Sequence, residues 1–409
     1  MNNRPWVAFA GGGSGGHLYP ALAVAGELAD LLPGVRFVFF STDRAIDGNV
    51  LGAYDGQWVR QSVKPMPRRV WQWPQFAASY WDAVQVCRRF FVKHRPLVVL
   101  GSGGYASAPS IWEAARERIP TALMNPDALP GKANRFLGSR VQAIFTQWDE
   151  TAERFNGRAR VHVTGCPVRP EFKRTRREDG LAHFGLDPQK KVLLVTGASQ
   201  GAQSINRAML AVVPRLAADG VWDQWQVLHL TGRDQHDSVA AAYRDQPVTV
   251  RVVGYTQHMA SAVAAADLVL ARAGASTLAE ITAVGRPSVL MPYPFHRDQH
   301  QVANARVLVK LGAARMLADR VDPQANAPAL AATLGRVMTD DAELSRLRTA
   351  ARRVGTTRAA AQIARHLIEL AGRTTSTAES NEWRDRVAQD DKGNWAPGRG
   401  AQPADVSSI

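Results

Sequence analysis

The sequence predicts an α/β protein with two domains, each built on a parallel β-sheet with helices on both faces. Three observations support this prediction. The chain has 409 residues, and at roughly 100–200 residues per domain this length fits two cores. Short apolar segments alternate with longer amphipathic ones, which is typical of βαβ units. The alternation stops near residues 165–175, where Pro167, Pro170 and a charged run interrupt it, and then starts again.

The first half of the sequence contains four strand candidates and two helix candidates. Each strand candidate is a short apolar run bounded by turn-forming residues. The strand candidates lie at residues 6–10, 35–40, 97–102 and 121–125. Amphipathic stretches follow the first and the third of them, at residues 21–32 and 108–118. This order predicts a parallel sheet that is covered on both faces.

The second half repeats the pattern and ends in helices. Its strand candidates lie at residues 191–199, 225–232, 248–253, 266–274 and 287–293. From about residue 327 to 371 apolar residues recur at spacings of three and four, as on the buried face of a helix, and Gly372 would end the last helix. Residues 373–409 are polar and rich in Gly, Ser, Pro and charge, so we expect a disordered tail.

The composition favours an anionic partner and a reducing compartment. Fifty Lys and Arg against 36 Asp and Glu give a formal net charge of +14, which favours nucleic acid, nucleotide phosphates or an acidic membrane surface. Two cysteines, Cys87 and Cys166, are too few for a disulfide framework and lack zinc-site spacing. Since no stretch approaches the ~18 consecutive apolar residues of a spanning helix, we expect neither an integral protein nor one secreted by a signal peptide.

A glycine-rich segment at residues 11–16 follows the first strand candidate and ends at His17. Glycines allow a sharp turn, and the next helix, expected from about Tyr19 and Pro20, would present unpaired N–H groups to an anion. The dinucleotide spacing GxGxxG is present, but Asp43 lies too far along to serve as its acidic partner. His17 is suited to act as general base for a hydroxyl nucleophile. A tight turn with a structural histidine is the alternative.

Two further glycine-rich segments end other strand candidates. Residues 101–107 (GSGGYAS) close the third strand, and residues 196–202 (TGASQGA) close the first strand of the second half. Loops that share one sheet edge line one crevice, where open α/β sheets bind their ligands. Ser199 and nearby backbone N–H groups would suit a diphosphate. Ordinary βα turns are the alternative for each segment.

Polar groups recur at two more strand ends. Residues 272–280 (RAGASTLAE) place hydroxyls at a helix start and a carboxylate about one turn later. Helix capping would explain Ser276 and Thr277 without any ligand. A nucleoside diphosphate would explain why so many strand ends carry hydroxyls, amides and a carboxylate. Residues 298–301 (DQHQ) follow the last strand candidate, where they fit either sugar-hydroxyl recognition or a solvated loop.

Seven motifs, in this order and spacing, resemble the MurG-type family of glycosyltransferases. They are GGGSGGHLYPALAVA, GSGGYASAPS, LPGKANR, VTGCPVRPEF, TGASQGAQSIN, RAGASTLAEITAVGRPSVLMPYP and DQHQVANARVL. They span roughly residues 5–370, and their combination is far more specific than any one of them. Members of this family are UDP-N-acetylglucosamine:undecaprenyl-pyrophosphoryl-muramoyl-pentapeptide N-acetylglucosaminyltransferases.

The resemblance implies an α/β protein of the GT-B fold, in which two Rossmann-like domains face each other across a cleft. The implied parts are an N-terminal acceptor and membrane-associated domain at 1–168, a C-terminal UDP-sugar domain at 169–350, a helix at 351–372 that returns to the first domain, and the tail at 373–409. The implied reaction is inverting transfer of GlcNAc from UDP-GlcNAc to the C4 hydroxyl of the undecaprenyl-linked muramoyl-pentapeptide (lipid I), which gives lipid II. It needs no metal or other cofactor. The implied enzyme is peripheral at the cytoplasmic face of the cell membrane and serves peptidoglycan synthesis, cell shape and division.

The resemblance also assigns roles to residues of this sequence. His17 is the implied base for the acceptor hydroxyl. The implied donor-binding residues are Ser14, Gly15, Gly16, Asp127, Arg169, Ser199, Thr256, Ala275, Ser276, Thr277, Leu278, Ala279, Glu280 and Gln301. In this set Glu280 would hold the ribose, Gln301 the sugar, and Thr256, together with Tyr255, the uracil. The implied acceptor-side residues are Gly103, Gly104, Tyr105 and Asn134.

One segment departs from the family pattern. Where the family commonly has His-Glu-Gln-Asn before the PGxxNR motif, this chain has Met124, Asn125, Pro126 and Asp127. An ionised aspartate accepts hydrogen bonds from sugar hydroxyls but donates none. A related transferase with a different lipid acceptor, such as diacylglycerol, is therefore an open alternative.

Residues 64–95 predict contact with an anionic membrane surface. The segment contains seven Lys or Arg and seven aromatic residues against one acid, Asp82. Tryptophan prefers the headgroup region, and each basic residue near an anionic surface contributes about 1 kcal/mol. The predicted contact residues are Arg68, Arg69, Trp71, Trp73, Arg88 and Arg89. A core helix would account for some of the aromatics.

A non-catalytic nucleotide or nucleic-acid binder is the alternative from another functional class. Interleaved aromatic and basic residues such as those at 64–95 would also suit single-stranded nucleic acid. The segment lacks an RNA-binding motif, so we expect no nucleic-acid partner.

Overall fold

The first domain is built on a parallel sheet. The computed structural model describes residues 4–67, 69–155, 157–197, 201–295 and 298–372. Within these ranges the strands of the first sheet are β1 (Trp6–Gly11), β2 (Arg36–Ser41), β3 (Gln57–Arg60), β4 (Val98–Gly103), β5 (Thr121–Asn125), β6 (Ala143–Thr146) and β7 (Arg160–Val163). Their spatial order is β3-β2-β1-β4-β5-β6-β7, and every pairing is parallel.

The second domain contains another parallel sheet. Its described strands are β8 (Lys191–Thr196), β9 (Trp225–Leu230), β10 (Val250–Val253), β11 (Leu268–Ala271), β12 (Ser288–Leu290) and β13 (Ala314–Met316). They lie in the order β10-β9-β8-β11-β12-β13, again with parallel pairing. The predicted class, α/β with two parallel sheets, is confirmed.

Four short strands, β3, β6, β7 and β13, lie outside the strands that the sequence predicts. They have three or four residues each, and β3 and β7 are partly exposed at the two edges of the first sheet. Runs this short contain too few apolar residues to show a period. Their pairing partners decide their conformation.

Helices cover both faces of each sheet. In the first domain the described helices are α1 (Gly15–Leu31), α2 (Ala45–Leu51), α3 (Trp73–Lys93), α4 (Ala108–Arg116), α5 (Lys132–Leu137) and α6 (Asp149–Ala152). In the second they are α7 (Glu171–Arg174), α8 (Arg177–Phe184), α9 (Gln203–Ala218), α10 (His236–Tyr243), α11 (Met259–Ala265), α12 (Ala275–Ala283), α13 (His300–Lys310), α14 (Pro323–Thr339) and α15 (Asp341–Val354). The last described helix, α16 (Ala359–Gly372), packs on α1 and β4. None of the helices in the described ranges is long and apolar enough to span a bilayer.

The strand order reverses once in each sheet, and the glycine-rich segments follow the strands at these reversals. In the first sheet β1 lies between β2 and β4, and in the second β8 lies between β9 and β11. A crevice opens beyond the carboxyl ends of parallel strands at such a switch point. Loops 11–16 and 101–107 meet at the first crevice, and at the second the end of β11 lies beside the start of α9.

The returning helix α16 completes the core of the first domain. Ile363 and Leu367 are buried in one cluster with Val7 and Phe9 of β1 and Leu28 of α1. Burial of an aliphatic side chain of this size contributes about 1.5–3 kcal/mol. The chain therefore crosses between the domains twice, at residues 164–170 and again at 355–358.

Helix α1 begins earlier than the sequence predicts. The expected start was near Tyr19 and Pro20, but the helix starts at Gly15, and Pro20 lies within it. A proline at the sixth helical position removes one backbone hydrogen bond without preventing the first turn. His17 and Tyr19 therefore lie on the first turns of a helix rather than at the tip of a loop.

Candidate active site

The loop at residues 11–16 is held in place by a buried carboxylate, Asp47 of α2. Its oxygens accept hydrogen bonds from the Gly13 backbone N–H at 2.8 and 3.0 Å, from the Ser41 hydroxyl at 2.5 Å, and from Thr42 through its backbone N–H and its hydroxyl. A Cβ on Gly12 would lie 2.4 Å from Asp47 Oδ2, so only glycine fits there. The sequence analysis missed Asp47 because it weighed Asp43, which is exposed.

His17 is oriented by the second glycine-rich loop. Its Nδ1 lies 2.9 Å from the backbone carbonyl oxygen of Ser102. Because a carbonyl only accepts hydrogen bonds, Nδ1 carries the proton, and Nε2 of the neutral ring is a proton acceptor. This is the tautomer that a general base requires.

Gly103 and Gly104 provide the space for this ring. Both have positive φ, +100° and +76°, and a Cβ on either would lie 3.3 Å from an atom of the His17 ring. Next to them, Asn134 donates through Nδ2 to the Met124 carbonyl and to Asn125 Oδ1. Asn134 Oδ1 is buried and has no hydrogen-bond partner among the described residues. The two glycine loops and Asn134 therefore form one side of a cleft.

The N-terminus of α12 forms the facing side. Its N-cap residue is Gly274, which has no side chain to cap the helix. Ser276 and Thr277 lie inside the first turn, so the capping interpretation of these hydroxyls is wrong. A Cβ on Gly16 would lie 3.4 Å from Ser276 Oγ. The N-terminus of α12 therefore lies next to the first turn of α1, which carries His17.

The first turn of α12 can offer three backbone N–H groups to an anion, those of Ala275, Ser276 and Thr277. The next N–H, of Leu278, donates to the Gly274 carbonyl at 2.9 Å, and the Leu278 side chain is fully buried in the core. Leu278 is therefore not placed to contact a ligand directly, contrary to its implied role. Ala279 is buried in a second hydrophobic cluster and is not placed to contact one either.

Arg169, from the segment between the domains, lies against residues of both. Its guanidinium packs over the Tyr19 ring of α1, 4.7 Å from the ring centroid, and its Nη2 lies 3.7 Å from Glu280 Oε1. Arg169 Nε is buried without a hydrogen-bond partner in the described part of the chain. Burial raises the pKa of Glu280 to about 7, against the opposing effect of the Arg169 charge. A cation and a titratable carboxylate therefore meet at the centre of the cleft.

Gln301 and Thr256 border the same side of the cleft. Gln301 Oε1 accepts hydrogen bonds from the backbone N–H groups of Ala273 and Tyr293, at 3.2 and 2.9 Å. This fixes the amide beside the loop that leads into α12. Thr256 Oγ1 accepts the His258 N–H at 2.9 Å, in the turn before α11.

The segment at residues 124–127, whose sequence differs from the family pattern, forms a contact between the domains. Asn304 of α13 is fully buried and donates through Nδ2 to Asp127 Oδ1 at 2.9 Å and to the Ala273 carbonyl at 3.1 Å. Its Oδ1 accepts the Ala128 N–H at 2.8 Å. Asp127 therefore lies at the cleft but is already hydrogen-bonded across it.

A second buried ion pair, missed by the sequence analysis, supports the donor-side loops. Arg272 Nη1 lies 2.7 Å from Asp319 Oδ2, and its Nη2 donates to Ser204 Oγ at 2.7 Å. Ser204 Oγ in turn donates to Asp319 Oδ2 at 2.6 Å. This network joins the end of β11 to the start of α9. No local signal identifies it, because Asp319 is 47 residues away from Arg272 in the sequence.

The predicted membrane segment presents apolar and basic side chains together. Val70 and Trp71 are 80% and 71% exposed, and Phe90 and Phe91 are in the core. We call the following exposed residues the α3 patch: Met66, Arg69, Val70, Trp71, Trp73, Trp81, Arg88, Arg89 and Val92. Tyr80 and Ala83, on the other side of α3, pack against Tyr105 and Ala106. Helix α3 therefore adjoins the loop that orients His17 through the side opposite the patch.

Two predicted residues, Ser199 and Arg68, lie outside the described residues. No group of three or more His, Cys, Asp or Glu suited to a metal ion occurs in the ranges that the structure describes. Independence of metals stays a prediction.

Two Rossmann-like domains, switch-point loops and an open helix N-terminus across a cleft define the GT-B class of glycosyltransferases. Two family models match the chain. They are the glycosyltransferase family 28 N-terminal domain, at residues 7–146, and the glycosyltransferase family 28 C-terminal domain, at residues 192–363.

Individual relatives narrow the family further. A UDP-N-acetylglucosamine–N-acetylmuramyl-(pentapeptide) pyrophosphoryl-undecaprenol N-acetylglucosamine transferase of Moorella thermoacetica is 39% identical over 325 residues, which cover 77% of this chain and 86% of that protein. The protein of the same name from Desulforudis audaxviator is 34% identical over 383 residues, covering 90% and 99%. The crystal structure of Acinetobacter baumannii MurG, 22% identical, shares the fold with a TM-score of 0.71 and covers 89% of this chain and 99% of that one. The chain belongs to the family of these transferases within glycosyltransferase family 28.

Proposed function

We propose that this chain transfers N-acetylglucosamine from UDP-GlcNAc to the C4 hydroxyl of the undecaprenyl-pyrophosphoryl muramoyl-pentapeptide, lipid I, and so produces lipid II. The observation that carries the proposal is the His17 geometry. The Ser102 carbonyl holds the proton of the ring on Nδ1, and Nε2 is left as a base beside the open N-terminus of α12. A hydroxyl nucleophile and a diphosphate leaving group require these two features on opposite sides of one cleft.

The transfer is a single displacement. His17 Nε2 removes the proton of the C4 hydroxyl while its oxygen attacks C1 of the donor sugar, and the bond from C1 to the β-phosphate oxygen breaks. Attack from the side opposite the leaving group inverts the configuration at C1. Negative charge develops on UDP, where the N–H groups at the start of α12 and the Arg169 guanidinium stabilise it. We therefore expect the reaction to proceed without a metal ion.

Donor recognition follows from the same side of the cleft. Glu280 would accept hydrogen bonds from the ribose hydroxyls, and Gln301, whose Oε1 is fixed by two backbone N–H groups, would present its amide nitrogen to the sugar. Tyr255 and Thr256 border the position for uracil. Ser14, Gly15 and Gly16 approach the sugar from the first domain.

Replacement of His17 by alanine tests the mechanism. We expect turnover with lipid I to fall by at least 100-fold, since general base catalysis contributes about 10²–10⁴-fold, while UDP-GlcNAc affinity stays unchanged in calorimetry. His236→Ala, at a partly exposed histidine on α10, is the matched control. An unimpaired His17→Ala enzyme would exclude this residue as the base. Diacylglycerol and UDP-glucose, offered in parallel, test the alternative acceptor and donor.

We also propose that the α3 patch docks the acceptor domain on the anionic cytoplasmic face of the membrane. Trp73, Trp81, Arg88 and Val92 recur at spacings of four, seven and eight, so they share one side of α3. Aromatic rings at headgroup depth and arginines over anionic lipid would hold the enzyme without a spanning helix. The contact of α3 with Tyr105 supports this proposal, because the lipid-linked acceptor would then enter beside His17.

Charge reversal of Arg68, Arg69, Arg88 and Arg89 to glutamate tests the docking. We expect sedimentation with phosphatidylglycerol vesicles to be lost and UDP-GlcNAc affinity to be retained, since charges are screened over about 8 Å at physiological salt. The control reverses four exposed arginines of the second domain, Arg207, Arg215, Arg244 and Arg336. Persistent binding of the α3 variant, or equal binding of the parent to neutral vesicles, would contradict the proposal.

A further inference from the structure

Two arginine side chains bind one carboxylate in the second domain, far from the candidate active site, and two more arginines lie beside them. We call this set the arginine cluster; it consists of Arg177, Arg286, Arg348 and Arg352 around Asp267. Asp267 immediately precedes β11, and Arg286 precedes β12. The cluster therefore lies at the edge where the parallel strands begin. The donor-side loops follow the opposite ends of these strands, and four residues of β11 alone span about 13 Å.

The single carboxylate is already occupied by hydrogen bonds. Asp267 Oδ2 accepts from Arg177 Nη2 at 3.1 Å and from the Val192 backbone N–H at 3.0 Å. Its Oδ1 accepts from Arg348 Nη2 at 3.0 Å. Arg286 donates through Nη2 to the Ala264 carbonyl and not to Asp267. One negative charge is thus shared among several cations.

The local charge is strongly positive. A further carboxylate that interacts with Arg348, Asp341, is already bound by Lys191 at 2.5 Å. Arg352 packs against Gly285, the residue before Arg286, where an added Cβ would lie 2.3 Å from Arg352 Cγ. Burial, together with the charges of Arg348, Arg177 and Arg352, lowers the pKa of Arg286 to about 10, and Asp267 opposes this shift. Four cations against one carboxylate leave a local excess of positive charge.

The cluster also has donors without acceptors. Among the described residues, Nη1 of Arg177, Arg286 and Arg348 has no hydrogen-bond partner, and Nε of Arg286 and Arg348 is buried without one. The Arg177 and Arg348 side chains are 28% and 29% exposed. Solvent, and therefore a small ion, reaches these guanidinium groups.

We propose that the arginine cluster is a binding site for a free multivalent oxyanion of the phosphate class. Guanidinium groups match the oxygens of phosphate in pairs of parallel hydrogen bonds, and a doubly charged anion offsets the excess charge that Asp267 leaves. The site is separate from the donor diphosphate site, which lies at the other edge of the sheet. It lies at the far end of α12, whose first turn borders the cleft and whose last residues lead to Arg286.

Thermal unfolding with added pyrophosphate tests the proposal, with UDP present at saturation so that the donor site is already filled. At ten times its dissociation constant, a ligand of the folded state should raise the melting temperature of a domain of this size by about 3–6 °C. Sodium chloride at matched ionic strength should not reproduce the shift, since it screens charge but forms no paired hydrogen bonds. An equal shift with chloride, or no shift with pyrophosphate and inorganic phosphate, would overturn the proposal.

Variants then locate the anion. Arg286→Gln with Arg348→Gln should weaken pyrophosphate binding at least tenfold in calorimetry, because each charge-assisted hydrogen bond contributes about that much. The matched control, Arg346→Gln with Arg353→Gln, removes the same charge from exposed positions of α15 and should bind as the parent does. The single variant Arg348→Lys keeps the charge and the fold but loses the paired geometry, so it should bind with intermediate affinity. Unchanged binding in the Arg286 and Arg348 variant, measured after its circular dichroism spectrum matches the parent, would place the anion elsewhere.

Discussion

Two side chains of the cleft are prepared for their roles by neighbours that are distant in sequence. His17 depends on the Ser102 carbonyl for its tautomer, and burial raises the pKa of Glu280 against the opposing charge of Arg169. The ordinary pKa of a glutamate is near 4.3. A value near 7 means that Glu280 changes charge in the range where cells operate, so donor binding should depend on pH.

We predict that UDP-GlcNAc affinity rises with pH and levels off above pH 7. Below its raised pKa Glu280 is protonated, and a neutral carboxyl is the weaker acceptor for ribose hydroxyls. With a pKa of about 7, affinity at pH 6 should be about tenfold lower than at pH 8 if the ionised form alone binds. Calorimetry from pH 5.5 to 8.5 measures this, and the diphosphate diester of UDP-GlcNAc stays ionised throughout.

Glu280→Gln is the control for this prediction. It should bind more weakly than the parent at pH 8 and show no slope over the range, because the amide does not titrate. A slope that survives in Glu280→Gln would assign the pH dependence to another group.

At the scale of elements, the site consists of strand-to-helix loops whose shape is set by groups outside them. Loop 11–16 is the clearest case, because Asp47 of α2 accepts the Gly13 N–H and so connects the loop to a different βα unit. Ser14 is the one residue of this loop with a side chain, and it makes no side-chain capping hydrogen bond. The position of His17 therefore depends on a buried carboxylate from a different element.

We predict that Asp47→Asn lowers the free energy of unfolding by about 2–3 kcal/mol and lowers kcat much more than it weakens donor binding. An Asn at this position would turn an amide nitrogen, which is a donor, towards groups that now donate to the Asp47 carboxylate. The buried N–H and hydroxyl groups there would lose their acceptor, and each such loss costs about 1–3 kcal/mol of stability. Urea denaturation and steady-state kinetics measure the two effects. Asp43→Asn, at an exposed site four residues away, should change neither. Equal loss of kcat in both variants would show that the loop is not positioned through Asp47.

At the scale of the whole molecule, function requires that two domains present their loops to one another. The contacts that hold them include α16 on the core of the first domain, Arg169 on Tyr19, and Asn304 between Asp127 and Ala273. The last of these is buried and polar, so its loss leaves several groups without partners. An exposed pair, Lys310 with Glu150, also bridges the domains at 2.5 Å.

We predict that Asn304→Ala loosens the domain contact and that Lys310→Ala does not. Without the Asn304 amide, the Ala128 N–H and the Asp127 carboxylate lose their partner across the cleft. Each unsatisfied buried group costs about 1–3 kcal/mol of stability. The exposed ion pair that Lys310→Ala removes contributes only about 0–1 kcal/mol. Hydrogen exchange at Ala128 should accelerate by about 10–100-fold in Asn304→Ala only. Undisturbed protection at Ala128 would mean that Asn304 does not hold the domains together.

The sequence by itself determined the α/β class, the two sheets, the long helices and the family. It could do so because apolar periodicity and glycine-rich strand ends are local signals, which neighbouring residues in the chain carry together. The same local signals placed His17 and Gly103 near strand ends of the first sheet and Ser276 and Glu280 after a strand of the second, and parallel strands bring such ends to one edge of their own sheet.

Only the tertiary structure decided how these residues are held. Each of the following contacts joins residues from different elements. They are the hydrogen bond that sets the tautomer of His17, the bonds from Asp47 to the loop before His17, the bonds of Asn304 between the domains, and the ion pairs of arginines with Asp267. Short edge strands such as β3 and β7 likewise take their conformation from the strands beside them. A hydrogen bond or a burial cost between distant residues appears only once the chain has folded, so no pattern along the sequence encodes it.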